Sequence, residues 1–275
     1  MPIDIKKARD FVYANGTLWE RALFAYLFQN GSLERVHQCL LCYKNPDSGF
    51  GHALEHDIRY PDSHPLALEF LLRVMQDTDL PPGNLLDGDA EWVQANQQED
   101  GYLVRKPELL DYPHAPWWSE GGQNIPDSIV GGLMKFGKAN EAIISKTRAW
   151  VQQHLTLDSI RNEAWLFMLY HAFDYFNADA TFPNIEQYRK ATIERIVSLG
   201  QQIPDNQMHS LCTFIPSPQS AVAQAAPQLV EHMLSHLEST QLPDGSWHDQ
   251  HNLPQWWSYC TILNLLTLRR FGRWS

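Results

Sequence analysis

The chain has 275 residues, of which 44% are hydrophobic and 19% are charged, a composition typical of a globular protein with a large apolar interior. Its formal net charge is −11 at pH 7 and no basic cluster is present, which argues against nucleic acid or an anionic membrane surface as a partner. No apolar run approaches the roughly 20 residues that a membrane-spanning helix needs. The charged start does not resemble a signal peptide, and the four cysteines are too scattered for a disulfide framework. We therefore expect a cytoplasmic protein without membrane insertion.

Apolar residues recur at helical spacing in several stretches of the chain. These stretches are residues 66–74, 164–173, 221–237 and 261–268. Proline or Asp-Ser sequences stand at plausible helix starts. They lie at residues 62–65, 126–128 and 216–218. Alternating patterns of the kind that predicts strands are nearly absent, so the sequence predicts an all-α protein.

A turn of the form Asp-Gly-aromatic recurs between the predicted helices. The three clear copies read Asp47-Ser48-Gly49-Phe50, Asp100-Gly101-Tyr102 and Asp244-Gly245-Ser246-Trp247. Weaker copies at Asp158 and Asp205 give a period of roughly 50 residues, which is typical of helical repeats. Glycine accepts the positive φ of a tight turn, and the aromatic ring can fold back onto the helices. We therefore predict about five to six helical hairpins in a single domain, residues 1–275.

The last of these turns resembles the QW motif of the terpenoid cyclase and protein prenyltransferase superfamily, and the other turns resemble weaker copies. The chain is similar to a bacterial branch with squalene-cyclase-type repeats. This resemblance implies an (α/α) toroid, or barrel, of inner and outer helices. It also implies structural roles for Gln241, Gly245 and Trp247, which would tie outer helices together. The cyclase acid motif has no full counterpart, because Asp87-Gly88-Asp89-Ala90 lacks its last carboxylate, and we find no counterpart of the prenyltransferase zinc ligands.

Residues 49–64 are the richest polar segment, with three histidines, three carboxylates and one arginine between a glycine turn and a proline-led helix. Loops on a rigid scaffold commonly carry function, so the candidate catalytic residues come from this segment. They are His52, Glu55, Asp57 and Asp62. Arg59 is a candidate for substrate binding. The alternative is a solvated loop that caps the following helix through Asp62 or Ser63.

A second sequence pattern, a proline followed by a pair of tryptophans, repeats after two of the turns. Pro116-Trp117-Trp118 is echoed by Pro254-Gln255-Trp256-Trp257, and both stand just before a predicted helix. If the hairpins close into a ring, equivalent positions meet at one end, where helix N-termini favour polar or anionic groups. One Trp of each pair is expected in the core. The candidate substrate-binding residues are Asp111, His114, Trp117, Trp118, His248, Asp249, His251, Trp256 and Trp257.

Several chemistries fit these residues. A carboxyl group desolvated among aromatic rings could protonate a terpenoid-like substrate, whose positive charge the π faces would stabilise. The same parts could hydrolyse a carbohydrate, with Glu55 or Asp57 paired with Asp111 or Asp249. His52-Ala53-Leu54-Glu55-His56 has the spacing of a zinc motif, but that motif needs a helix longer than the flanking Gly51 and Pro61 leave room for.

The sequence thus favours an acid–base enzyme that acts on a small neutral substrate, terpenoid-like by the resemblance, with no cofactor and no metal. A carbohydrate-active hydrolase or lyase is the first alternative. A non-catalytic binding or interaction module is the second, because helical toroids also serve as docking surfaces.

Overall fold

The structure is a computed structural model that describes residues 3–118 and 122–274. Within these ranges the chain is mainly helical with one short sheet, which confirms the predicted helical class. The chain forms two compact units. Unit 1 consists of Met1–Leu40 and Ile193–Ser275, and unit 2 is the continuous stretch Leu41–Thr192. No helix in the described ranges is both long enough and apolar enough to cross a bilayer.

The helices of unit 1 come from both ends of the chain. They are α1 (Ile5–Asn15), α2 (Leu18–Phe28), α3 (Leu33–Leu41, ending at the boundary), α11 (Ala221–Ala225), α12 (Pro227–Ser239) and α13 (Pro254–Arg270), with a 3-10 helix at Asp205–Leu211. Helix α10 (Ile185–Gly200) begins in unit 2 and ends in unit 1. Helix α1 packs against α13 and α2, and Asp4 and Thr17 cap the N-termini of α1 and α2.

Unit 2 contains the remaining helices and the sheet. The helices are α4 (Pro65–Thr78), α5 (Asp89–Asn96), α6 (Asp127–Lys135), α7 (Glu141–His154), α8 (Leu157–Asn162) and α9 (Leu169–Ala178), with 3-10 helices at Pro107–Asp111, Pro116–Trp118 and Leu166–Met168. Strands β1 (Leu103–Arg105) and β2 (Gly122–Asn124) pair antiparallel, with Leu103 opposite Asn124.

Helix α6 packs closely against α9 and also contacts α4. The close approach depends on Gly131, where an added Cβ would lie 2.9 Å from the Cα of Tyr175. A side chain larger than hydrogen would push the two helices apart. The absence of a side chain at this position therefore lets polar groups on α4, α6 and α9 reach one another.

Two of the three clear turns share one hydrogen bond. The Nε2 of Gln97 donates to the carbonyl oxygen of Gly101 at 2.9 Å, and the Nε2 of Gln241 donates to that of Gly245 at 3.0 Å. Both glycines have positive φ, 92° and 94°. Repetition of the same bond and backbone conformation shows that these two turns are copies of one local structure.

Each of these glycine turns lies against a helix. A Cβ added at Gly101 would be 3.0 Å from the Cβ of Trp150 in α7, and one at Gly245 would be 2.3 Å from the backbone nitrogen of Ala8 in α1. Trp247, after the last turn, is buried and donates its indole N–H to the carbonyl of Leu237 at 2.9 Å. The last turn is therefore fixed to the first helix.

Several sequence expectations need correction. Pro227 divides the predicted helix 221–237 into α11 and α12, because proline has no N–H for the helical ladder. The weak turn copies are helical: Asp158 lies in α8, and Asp205 begins a 3-10 helix. The first Trp pair lies in the 3-10 helix Pro116–Trp118, and the next described element is strand β2 rather than a helix.

Candidate active site

The polar segment 49–64 in unit 2 is a folded loop without helix. His52 and Ala53 both have left-handed φ, 54° and 61°, and the backbone N–H of His52 donates to the carbonyl of Pro61 at 3.1 Å. A Cβ at Gly51 would be 2.4 Å from that carbonyl oxygen, so only glycine fits the crossing. Without a helix here, the zinc-motif spacing at 52–56 does not place its two histidines on one helical face.

This fold buries two of the predicted catalytic carboxylates. Glu55 and Asp57 are each 8% exposed. The Oε2 of Glu55 accepts the backbone N–H of Asp57 at 2.9 Å, and the Oδ2 of Asp57 accepts the indole N–H of Trp117 at 3.1 Å. Trp117 itself is 48% exposed. A buried carboxylate pair is therefore bound to an indole that reaches the surface.

Backbone pairing between two chain segments brings Trp117 to Asp57. The N–H of Ala115 donates to the carbonyl of Asp57 at 2.8 Å, and the N–H of Arg59 donates to that of Pro113 at 2.9 Å. Ile58 and His114 form an antiparallel bridge between these bonds. The segments 57–59 and 113–115, both chosen from the sequence, are thus adjacent in space.

The surroundings of Glu55 favour its protonated form. Burial raises the pKa of the Glu55 carboxyl well above its ordinary value, and the neighbouring charges of Asp57 and Glu69 raise it further. Hydrogen bonds from backbone amides oppose the shift without cancelling it. Glu55 therefore keeps its proton at pH values where an ordinary glutamate is ionised.

Glu69 is the centre of a second polar cluster, which is carried by three helices. The Oε1 of Glu69 on α4 accepts the hydroxyl of Tyr170 on α9 at 3.0 Å and also a hydroxyl bond from Ser128 on α6. Burial raises the pKa of Glu69, while His171 and the two hydroxyl donors lower it by a smaller amount. Glu69 is thus a second carboxyl group that binds its proton more tightly than usual.

A histidine–aspartate pair lies beside Glu69. The Nδ1 of His171 is 2.8 Å from the Oδ1 of Asp127, and both side chains are buried. The Oδ2 of Asp127 has no hydrogen-bond partner within the described residues. Burial by itself lowers the pKa of His171. The negative charges of Asp127, Glu69 and Asp174 raise it by more, so the pKa of His171 lies above its ordinary value. The imidazolium form is therefore stabilised inside an acidic environment.

An arginine–aspartate pair completes the helix-borne cluster. The Nη2 of Arg73 lies 2.5 Å from the Oδ2 of Asp174, and its guanidinium group is 4.7 Å from the centre of the Tyr170 ring. Burial raises the pKa of Asp174, and Arg73 opposes that shift. We name Glu69, Arg73, Asp127, Ser128, Tyr170, His171 and Asp174 the helix cluster.

The other predicted polar residues of unit 2 are at the surface. The ring of His52 bonds to the Oδ1 of Asn45 at 2.8 Å, Asp62 accepts the hydroxyl of Tyr60 at 3.1 Å, and the ring of His114 bonds to the carbonyl of Tyr112 at 2.6 Å. The side chains that are exposed in this group are His52, Arg59, Asp62, Asp111 and His114.

The second Trp of the first pair is mainly a packing residue. Trp118 is half-buried against an apolar group formed by Ile58, Tyr60, Leu66 and Leu109. The guanidinium group of Arg105 lies 5.1 Å from its ring. The two indoles of this pair therefore have different surroundings. Trp117 donates a hydrogen bond to the Asp57 carboxylate, whereas Trp118 packs against apolar side chains.

The predicted residues of unit 1 form a group of their own. The ring of His248 stacks on that of Trp257 at 3.5 Å with an interplanar angle of 6°. The carboxylate of Asp249 accepts the backbone N–H groups of His251 and Leu253, at 2.8 and 2.6 Å. Trp256 and Trp257 are half-buried in the first turn of α13. It stays a prediction that residues of both units line one shared opening.

The sequence interpretation missed the helix cluster, although a signal for it exists. Glu69, Arg73 and Asp77 recur every four residues inside the apolar run of α4, which places three charges on one face of a buried helix. His171 and Asp174 interrupt the apolar run of α9 in the same way. Charged residues within an apolar helix are rarely buried without a partner, so such a pattern indicates a polar cluster.

Within residues 3–118 and 122–274, no three His, Cys, Asp or Glu side chains are grouped as metal ligands. Comparison of the chain with protein-family models, with curated proteins and with solved structures finds no match.

Proposed function

We propose that the chain is an acid–base enzyme that acts on a small neutral substrate, with Glu55 as the general acid. The observation that supports this proposal is the buried Glu55–Asp57 pair, which is hydrogen-bonded to a half-exposed indole. A carboxyl group that stays protonated near neutral pH is the usual donor in this kind of catalysis.

The hydrogen bonds assign a role to each group. The Oε2 of Glu55 accepts the N–H of Asp57, and the same carboxyl group carries the proton that is transferred. Proton transfer leaves positive charge on the substrate. Asp57, held by Trp117, stabilises that charge as a carboxylate, and the indole ring contributes through its π face. When the product forms, the Glu55 carboxylate removes a proton from the cationic intermediate, which restores the acid.

The resemblance to terpenoid cyclases favours a terpenoid-like substrate, with an alkene or a leaving group as the site of protonation. We also propose that the helical hairpins close into an α/α toroid. The contact of the Gly245 turn with α1 supports closure, because a ring of repeats needs its last member to pack against the first.

The first experiment measures the protonation of Glu55 by infrared difference spectroscopy. We expect protonated carboxyl absorption at pH 7 in the wild-type protein, to which Glu69 also contributes, with one component lost in Glu55→Gln and retained in the exposed control Glu99→Gln. An ionised Glu55 at pH 7 would refute the proposed acid.

The second experiment tests turnover. Wild-type protein is incubated with a panel of neutral glycosides and of polyprenyl compounds, and products are measured by mass spectrometry. We expect one class to be converted and Glu55→Gln to lose at least about a hundredfold in rate, as removal of a general acid does. Binding without conversion would favour the non-catalytic module.

A further inference from the structure

The carboxyl group proposed as the acid is largely closed off from solvent in this structure. Glu55 and Asp57 are each 8% exposed, so a substrate reaches neither carboxyl group without movement of the neighbouring chain. A general acid acts only within hydrogen-bond distance of the atom that it protonates. A segment packed against residues 55–57 must therefore open before the reaction.

Within the described residues, α4 is one of the two segments that contact residues 55–57. The ring of His56 is 5.4 Å from that of Phe70 on this helix. Helix α4 has 14 residues, and most of them are buried. Displacing such a helix would break the core of unit 2, so this side of the loop is fixed.

The second segment is a short stretch between two anchors. Leu109 is buried and Trp118 is half-buried, and both belong to the apolar group around Ile58. Between them, residues 111–117 are all exposed except Ala115. We name residues 111–117 the arch. Segments with few buried side chains and exposed hydrogen bonds are the ones that open locally in a folded protein.

Asp57 is the residue that joins the arch to the acid. Its carbonyl oxygen accepts the N–H of Ala115 at 2.8 Å, and its Oδ2 accepts the indole N–H of Trp117 at 3.1 Å. Its own N–H donates to the Glu55 carboxyl group at 2.9 Å. The arch therefore holds both the backbone and the side chain of the residue to which the acid is bonded.

We infer that the arch is a gate, which opens between its two anchors to admit the substrate and closes again, with the Trp117–Asp57 hydrogen bond as its latch. This inference rests on the proposed function, because the gate serves access to Glu55. Pro113 and Pro116 have fixed φ values, so the arch moves as a stiff unit. In its closed form it keeps water away from the positive charge that proton transfer creates.

The first measurement is amide hydrogen exchange of the full chain, resolved by residue with NMR. The N–H groups of Ala115 and Arg59 join the arch to the loop, and they should exchange together at a rate that low urea does not change, as local opening requires. Trp117→Phe removes the latch and should raise both rates about fivefold, the factor that corresponds to one hydrogen bond. Trp165→Phe is the matched control, because Trp165 is 71% exposed in unit 2 but lies outside the arch. It should leave both rates unchanged.

A reversible lock tests whether the arch controls access to Glu55. Ile58 and His114 are opposed in the antiparallel bridge without exchanging hydrogen bonds, a position at which the Cα atoms are about 4.5 Å apart and a disulfide fits. In D2O, the infrared component of the protonated Glu55 carboxyl group shifts as its proton exchanges. This shift should be at least about tenfold slower in oxidised Ile58→Cys/His114→Cys than in the same variant when reduced. Wild-type protein under both conditions is the control for the native cysteines.

Failure of the gate differs from failure of the proposed acid. Exchange of Ala115 and Arg59 through global unfolding alone would overturn the gate, and so would rates that Trp117→Phe leaves unchanged. Equal rates of the Glu55 shift in the oxidised and reduced forms would overturn it as well. Absence of a protonated Glu55 component at pH 7 removes the acid, and the amide exchange then still decides whether the arch opens.

Discussion

The polar loops at residues 52–57 and 248–251 each follow a turn with the Asp-Gly-aromatic sequence pattern but have different surroundings. In unit 2, the paired segment 113–115 covers the loop, and Glu55 and Asp57 are buried there with an indole as a partner. In unit 1, the carboxylate of Asp249 is half-buried and accepts backbone N–H groups of its own loop. Loops that follow the same sequence pattern thus do not carry the same chemistry, because a neighbouring segment decides whether a carboxylate is desolvated.

The largest expected effect comes from the buried ion pair of unit 2. Asp174→Ala removes the closest partner of the partly buried Arg73, and we expect a loss of about 3–5 kcal/mol in the free energy of unfolding. Asp249→Ala in unit 1 removes hydrogen bonds to exposed backbone and should cost about 1 kcal/mol. Urea denaturation followed by circular dichroism measures both. Equal losses would show that the two units do not differ in this respect.

The next largest change in the free energy of unfolding is expected when the two copies of the glycine turn are substituted. Gly245→Ala combines an unfavourable positive φ with a clash against the backbone of α1, and we expect a loss of about 3 kcal/mol. Gly101→Ala meets only the side chain of Trp150 at 3.0 Å and should lose about 1–2 kcal/mol.

Gly137→Ala separates the two causes, because Gly137 has a φ of 67° and nothing within 4 Å of an added Cβ. It should cost about 1 kcal/mol, the contribution of φ alone. Thermal or urea unfolding ranks the three variants. A loss at Gly245 no larger than that at Gly137 would mean that the turn does not lie tightly on α1.

A buried histidine gives unit 2 a pH dependence of its own. His64 has no hydrogen-bond partner for either ring nitrogen among the described residues, and burial lowers its pKa to about 4. The unfolded chain, with a His pKa of about 6.5, takes up this proton first as the pH falls. The contribution to stability is therefore complete above pH 6.5 and is lost progressively toward pH 4.

Between pH 7.5 and pH 4.5 this loss amounts to roughly 2.5 kcal/mol. His64→Phe keeps a buried ring without a titratable group, so the wild type should lose that much more stability than the variant over this interval. Urea titrations of both proteins at the two pH values measure the difference. Parallel pH profiles would contradict the burial of His64.

The smallest effect concerns the Trp pairs. Trp117→Phe removes the indole donor to Asp57 and should cost about 1 kcal/mol. The indole nitrogen of Trp257 has no hydrogen-bond partner within the described residues, so Trp257→Phe should cost clearly less. Chemical denaturation at pH 7 distinguishes them. A larger loss for Trp257 would mean that its stacking with His248 outweighs the Asp57 hydrogen bond.

Local patterns in the sequence predicted much of the fold and part of the site. The period of apolar residues predicted α4 and α13, and the Asp-Gly-aromatic pattern predicted the turns at 97–101 and 241–245. The density of charges in 49–64 selected Glu55 and Asp57, which the structure buries. For the helices and the turns the deciding interaction lies within a few residues along the chain, whereas the burial of Glu55 and Asp57 also depends on the segment 113–115.

The sequence interpretation failed where distant segments decide the structure. Strand β1 forms by pairing with β2 across a long connection, and neither segment has a strand-like pattern of useful length. In the sequence, Glu69 has the pattern of an ordinary position in an amphipathic helix. Its hydrogen bonds with Ser128 and Tyr170 form only because α6 and α9 pack near it in the folded chain. Those bonds link residues about sixty to a hundred positions apart, and periodicity contains no information on such pairs.

The attachment of the last turn to α1 also fixes an order of events during synthesis. Unit 2 is a continuous stretch, so all of its residues have been synthesised before the C-terminal part of unit 1 is made. Helix α1, in contrast, finds Gln241, the Gly245 turn and α13 only after residues 241–270 have been made. Helix α1 is therefore without these partners while the residues between it and α13 are synthesised, and in the interval its apolar face is available to a chaperone.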